Sequence, residues 1–212
     1  MASTDAVVHA IGLLFDVQSG LQQLNSFTSA SKSVPDAEGE RASTYDNITR
    51  KTALLAIAAL ASKKALPYSE SGLTTNEGTV SAIRRPFVFV SCAEAGWPDV
   101  RFGATVESAA PDWLQRYLAA KRAVEAELVA SADKLRHVIV RPSLIWNWKK
   151  FDVLPIIPIF NLASAIGVPF VDKTVRVETV GKSIVAALLD EEVSGVQRFS
   201  EMEMLAQRLP DP

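Results

Sequence analysis

Pro86-Phe-Val-Phe-Val-Ser91, Asp112-Trp-Leu-Gln-Arg-Tyr-Leu-Ala-Ala-Lys-Arg-Ala-Val-Glu-Ala-Glu-Leu-Val-Ala130 and His137-Val-Ile-Val-Arg-Pro142 follow one another along the chain. The first and third are short runs of β-branched and aromatic residues, which fit a pleated, half-buried surface. Ser91 closes the first run, and Pro142, which cannot donate to a ladder, stops the third. The middle run is rich in Ala, Leu, Glu, Arg and Lys, all good helix formers, and Asp112 suits an N-cap or a first-turn acid. Strand, long helix and strand predict two parallel neighbours joined by a right-handed crossover.

Working outward, Asp5-Ala-Val-Val-His-Ala-Ile-Gly-Leu-Leu14 is a further apolar run of strand type. Near-continuous apolar strands are covered on both faces, as in the parallel sheets of α/β proteins. Residues 44–63 read as an Ala/Leu-rich helix with Lys63 and Lys64 at its negative end. Residues 16–43 and 65–85 are polar excursions between these elements. The expected class is α/β, with a Rossmann-like parallel sheet.

Composition narrows the function. The chain has 212 residues, 48% hydrophobic and 22% charged, which excludes wholesale disorder. A formal net charge of −2 gives no basic excess and argues against nucleic acid as the main partner. One cysteine, Cys92, cannot form an internal disulfide, and with two histidines a Cys/His zinc site is out of reach. The start carries neither an Arg-rich amphipathic leader nor a basic-then-apolar signal stretch. A strand such as 5–14 is rarely the first element of a parallel sheet, so the natural start is expected upstream of Met1.

In open parallel sheets, ligands bind outside the carboxyl ends of the strands. The residues there are His9-Ala-Ile-Gly12, Ser91-Cys92-Ala93 and Arg141-Pro142-Ser143. On the intervening helix, Tyr117 and Lys121 stand four residues apart, on one face. A nearby ammonium favours phenolate, so the spacing predicts a lowered tyrosine pKa and proton exchange with a substrate oxygen that Ser91 also binds. The same spacing also fits a half-buried Tyr beside a surface Lys. It is the ordered set of Ser91, Tyr117-x-x-x-Lys121 and Arg141-Pro142 that favours the chemical reading.

This set resembles the extended and atypical branch of the short-chain dehydrogenase/reductase superfamily. Tyr45-Asp-Asn47, Val140-Arg-Pro-Ser-Leu-Ile-Trp146 and Val175-Arg-Val-Glu-Thr-Val-Gly-Lys-Ser-Ile-Val-Ala-Ala-Leu188 extend the likeness. Val7-Val-His-Ala-Ile-Gly-Leu-Leu14, Tyr117 to Leu128 and Ser194-Gly-Val196 are most similar to fungal mitochondrial accessory proteins of coenzyme Q biosynthesis, and next to the nucleotide-binding accessory subunit of respiratory complex I. The resemblance implies a partial NAD(P)-binding domain over 1–146 and a small substrate lobe with a return segment over 147–212. It implies catalytic roles for Ser91, Tyr117, Lys121 and Asn47, and cofactor contacts from Ala10, Ile11, Gly12, Tyr117, Lys121 and Pro142. It also implies NAD or NADP as cofactor and a prenylated, quinone-like substrate. Localisation would be peripheral on the matrix side of the mitochondrial inner membrane, with partners in a quinone-biosynthesis or respiratory complex. Two functions follow: an accessory or assembly protein using the fold as a binding module, or an NAD(P)-dependent oxidoreductase or epimerase.

The family's Gly-x-x-Gly-x-x-Gly turn does not occur, and the ten glycines are scattered. That turn gives the pyrophosphate its close backbone approach and helix N–H donors. Dinucleotide binding is therefore expected to be weak or absent, and residues 5–14 are expected at an open sheet edge. Other residues carry plainer expectations. His9 reads as a packing residue and Cys92 as a buried, inert thiol. The Asn47-Ile-Thr49 sequon is discounted for want of a secretory signal. Trp146, Trp148, Lys149 and Lys150 fit a membrane-surface rim or ordinary lobe packing with two solvated lysines. Residues 153–171, nineteen without charge, fit a lipid-facing or isoprenoid-binding lobe or a buried helix; three prolines argue against a regular membrane span.

Overall fold

The structure, a computed structural model, describes residues 5–12, 16–19, 43–63, 84–146, 161–162, 164, 167–168 and 171–210. Six strands are present among them: β1 (Val7–His9), β2 (Arg85–Val90), β3 (Leu135–Val140), β4 (Ile145–Trp146), β5 (Val175–Arg176) and β6 (Gly195–Gln197). The helices are α1 (Thr52–Ala61), α2 (Gly103–Ser108), α3 (Asp112–Ala130), α4 (Val177–Leu189) and α5 (Phe199–Ala206). A π-turn over Asp46–Lys51 leads into α1, and a 3-10 segment over Ala93–Asp99 follows β2. The main sheet has the order β1-β2-β3-β6 with every pairing parallel, and β4 pairs with β5 in a separate two-stranded piece. The α/β class with a Rossmann-like parallel sheet is what the sequence predicts.

Both faces of the central strands are covered, and the period of two decides which residue goes where. Phe87, Phe89, Leu135 and Ile139 pack under Ala53, Ile57 and Leu60 of α1 and Val124 and Leu128 of α3. Val88, Val138 and Val140 face the other way, onto Val180, Ala186 and Ala187 of α4 and Met202 and Leu205 of α5. Fully burying a Phe or Leu side chain contributes roughly 1.5–3 kcal/mol, so these two layers hold the sheet.

Helix α4 has no basic residue in its last turn, yet its end is satisfied. Arg136, at the amino end of β3 and 5% exposed, donates to the carbonyls of Ala187 (2.8 Å), Leu188 (3.2 Å) and Val193 (2.6 Å). One guanidinium thus answers carbonyls that a helix terminus leaves open.

Some expected elements differ in extent. The strand expected over 5–14 is ordered as a strand only over Val7–His9, and Ala10, Ile11 and Gly12 are exposed beyond it. A buried His9 explains the early end: its ring Nε2 bonds Thr52 Oγ1 at 3.0 Å, drawing the chain toward α1. Among the described residues β1 has one neighbour, β2, and its other side is an edge. Asp112 lies in the first turn of α3, with Pro111 at the cap. Trp148, Lys149, Lys150 and most of 153–171 lie outside the described residues; no described helix is long and apolar enough to cross a membrane.

Candidate functional site

The carboxyl ends of β1 and β2 meet α3 and the π-turn around a buried lysine. Lys121 is 4% exposed, and its Nζ donates to the Val90 carbonyl at 2.7 Å. It also lies 4.9 Å from the Phe89 ring centroid and 5.6 Å from that of Tyr117. Burial pushes the ammonium down to about 8, against the pull of Glu125. At Gly12 a Cβ would stand 3.5 Å from Lys121 Nζ and 3.6 Å from Thr49 Oγ1, so the space a side chain would fill there borders both polar atoms.

Several buried polar atoms at this end of the sheet make no hydrogen bond among the described residues. They include Ser91 Oγ, Thr49 Oγ1 and His9 Nδ1. Each such atom costs about 1–3 kcal/mol relative to a satisfied one. Burial, and then the Lys121 charge, lower the His9 pKa and keep the ring neutral near pH 7.

Tyr117 stands on the same face of α3 one turn before Lys121, packed with Cys92, Leu118 and Trp97. Its ring meets that of the buried Tyr45 edge-on at 5.5 Å. The expected lowering of its pKa is not what the structure gives. Burial, and then the neighbouring Cys92 and Glu94, push the phenol well above its usual range. The physical reason is burial: the phenol stands in a low-dielectric setting that favours its neutral form, while Lys121 Nζ turns to the Val90 carbonyl.

Cys92 lies beside both groups and bears on the titration of Glu94 as well as that of Tyr117. Burial raises the thiol to about 12, which agrees with an inert cysteine. Glu94, placed by the 3-10 segment after β2, has a carboxyl raised by burial and by the charge of Asp172. Sequence reading passed over Glu94, although it follows Ser91 by three residues at a strand end. It passed over Thr49 too, attending only to the sequon.

The remaining predicted residues divide. The Asn47 amide oxygen accepts from Lys51 Nζ at 2.8 Å, an exposed contact on its own helix. The Pro142 carbonyl accepts from Ala93 N at 2.8 Å, tying the end of β3 to the segment that carries Glu94. Beside it, Arg141 forks onto Glu125 at 3.0 and 2.6 Å, a nearly buried pair that fixes α3 against β3. A separate open cleft of about 360 Å³ is lined by Asp16, Tyr45, Arg50 and Arg116 among others. Its charges are paired internally, Arg116 with Asp16 and Arg50 with Asp46. Among the described residues no cluster of His, Cys, Asp and Glu could hold a metal ion.

No family model and no curated protein matches the chain. Among solved structures, the chain is similar to a protein from Bacillus halodurans that carries the name of an NAD-dependent epimerase/dehydratase, at 18% identity and a TM-score of 0.49, over 98% of this chain and 71% of that one.

Proposed function

We propose that this chain is an NAD(P)-dependent oxidoreductase or epimerase that works on an oxygen-bearing carbon through Ser91, Tyr117 and Lys121. The single observation that carries the reading is the buried Ser91 hydroxyl, without a hydrogen bond among the described residues, at the same carboxyl edge as the buried Lys121 and the open face of Gly12. A nicotinamide cofactor supplies hydride transfer when bound. The residues present fit its nicotinamide end: Gly12 leaves room, Ala10 and Ile11 are exposed beside it, and Lys121 keeps donors beyond the one given to Val90. No Gly-rich turn is present to hold the pyrophosphate, so affinity is expected to be low.

Within this reading the Ser91 hydroxyl orients the substrate oxygen. The Tyr117 phenol, held protonated by burial and the Cys92 contact, gives a proton to that oxygen in the reductive direction. Lys121, lowered by burial to about 8 and still charged at pH 7, places a positive charge beside it. The test is turnover of a panel of ketones and secondary alcohols with NAD(H) and NADP(H), wild type against Tyr117→Phe. A cofactor-dependent absorbance change that falls by about 100-fold in the variant is expected. A wild type inert with every cofactor would refute the reading.

A second reading is an accessory role in mitochondrial quinone metabolism, at the matrix side of the inner membrane. It is favoured by the same pair: a phenol held neutral by burial, with Lys121 Nζ turned to the Val90 carbonyl, describes a site built to bind more than to turn over. The Arg176 guanidinium over the Trp146 ring at 5.4 Å, beside the exposed Ile145, would be its membrane-facing rim, and a prenylated quinone its ligand. Co-purification of the tagged protein with quinone-biosynthesis or respiratory complexes from mitochondria is the expected result. Recovery from another compartment refutes it.

A further inference from the structure

Arg50 and Arg116 both line the open cleft of about 360 Å³, and the pairing of each with a carboxylate is partial. Arg50 gives its Nε to Asp46 Oδ1 at 2.5 Å, and its two terminal nitrogens make no hydrogen bond among the described residues. Arg116 gives Nη2 to Asp16 Oδ1 at 3.1 Å, and its Nε makes none there. A guanidinium carries five N–H donors, so one such contact leaves most of them for another acceptor. Asp46 is moreover shared, since Lys51 Nζ lies 3.2 Å from its Oδ2. Around the cleft three cations therefore meet two carboxylates. Beside the arginines the floor is apolar. Arg116, Ala119, Ala120 and Ala123 share one face of α3, and the three alanines end at Cβ, which leaves depth. The volume falls within the range of about 300–1,000 Å³ for small-molecule sites, which combine an apolar lining with a few placed polar groups. Ser91, Tyr117 and Lys121 do not line this cleft.

We propose that this cleft is a second binding site, for an organic monoanion whose carboxylate is bound by Arg50 and Arg116 and whose apolar body lies on the alanine floor. The surplus of one cation sets the charge of the ligand. A single negative charge balances it, while a second would face Asp16 and Asp46 across the same cleft. The planar guanidinium fork matches a carboxylate in shape. An inorganic phosphate dianion brings the extra charge and no apolar body to cover the alanines. Arg50 and Asp46 are 41% and 44% exposed, so turning that pair toward a ligand costs little. The proposal is independent of the oxidoreductase reading, because the cleft contains none of the three residues assigned to turnover.

The experiment is an amide NMR titration of the nitrogen-15-labelled chain at pH 7.5 with three probes. Benzoate carries the charge and the apolar body, benzamide the body alone, and inorganic phosphate the charge alone. Benzoate is expected to give saturable shifts at residues 45–50 and 116–123, with a dissociation constant of about 1 mM for so small a ligand in an open cleft. Benzamide and phosphate should bind at least about tenfold more weakly. Arg50→Gln should weaken benzoate about three- to tenfold, and Ala123→Leu, which fills the floor, should abolish its binding. Lys134→Gln removes an exposed charge outside the cleft and should change nothing. The same spectra report whether each variant is folded, and Ala119→Leu, at an exposed position, replaces Ala123→Leu if that chain does not fold. Phosphate as tight as benzoate would reduce the site to a general basic patch, and benzamide as tight would reduce it to apolar adsorption; either overturns the proposal. So would shifts that do not saturate below about 20 mM benzoate, or benzoate binding unaltered in Arg50→Gln. Cofactor and turnover enter none of these readouts, so the outcome stands apart from that of the oxidoreductase test.

Discussion

Two buried cations stand at opposite ends of the parallel sheet. Arg136, at the amino end of β3, has three carbonyl acceptors between 2.6 and 3.2 Å. Lys121, at the carboxyl end of β2, has one, at 2.7 Å. They are equally hidden, 5% and 4% exposed, so burial does not separate them. Satisfaction does. Arg136 gives three hydrogen bonds that close a helix end, whereas Lys121 gives one, and Ser91 Oγ and Thr49 Oγ1 nearby make none among the described residues. A charge with several acceptors stabilises; one with a single acceptor is held in place by the rest of the fold and keeps donors for a ligand.

The contrast has opposite signs on mutation. Arg136→Met strips the donor from three carbonyls and should destabilise by about 3–5 kcal/mol in denaturant unfolding. A loss under about 1 kcal/mol would mean that water replaces the guanidinium and that the contrast is empty.

Lys121→Met should do the reverse near neutral pH. The folded lysine has a pKa of about 8, against 10.5 for a lysine exposed to water. Between those two values the unfolded chain holds a proton that the folded chain has released, so this residue's contribution to stability rises with pH across that window. Below pH 8 its buried charge costs up to about 3 kcal/mol, less whatever the Val90 hydrogen bond returns. The variant should therefore melt higher than wild type at pH 7, and the difference should shrink as pH climbs past 10. A variant less stable at pH 7, or a pH-independent difference, would break the comparison.

The smallest effect belongs to Tyr117→Phe, within about 1 kcal/mol in stability because only the hydroxyl is removed and the ring packing stays. Its signature is spectroscopic. In ultraviolet titration the variant should lose a phenol that ionises well above pH 10, leaving two of the three tyrosines, Tyr68 and Tyr45, the latter raised by burial to about 12. A lost phenol that titrates below 10 would restore the lysine-activated tyrosine that helical spacing alone predicts.

The β-branched runs at 86–91 and 137–142 and the helix between them were legible because their periodicity is local: alternation sends Phe87 and Val88 to opposite layers whatever the rest of the chain does. Placing Ser91 at a strand end, and Tyr117 and Lys121 on one helix face, needed no more than that. Which atom Lys121 addresses was not local. Its nearness to Tyr117 follows from a four-residue step, but the choice of the Val90 carbonyl depends on how α3 lies across β2, and with it the direction of the tyrosine's pKa. Glu94 and Thr49 were missed for the same reason. A carboxyl and a hydroxyl in polar-looking stretches gain meaning only when packing removes water from them. Sequence by itself determined the element types, the parallel pairing of the central strands and the strand end and helix face on which Ser91, Tyr117 and Lys121 stand. Only the tertiary structure decided which of the polar groups there are spent on the protein and which are left without a partner, because desolvation and hydrogen-bond pairing belong to the assembled site and not to any one segment.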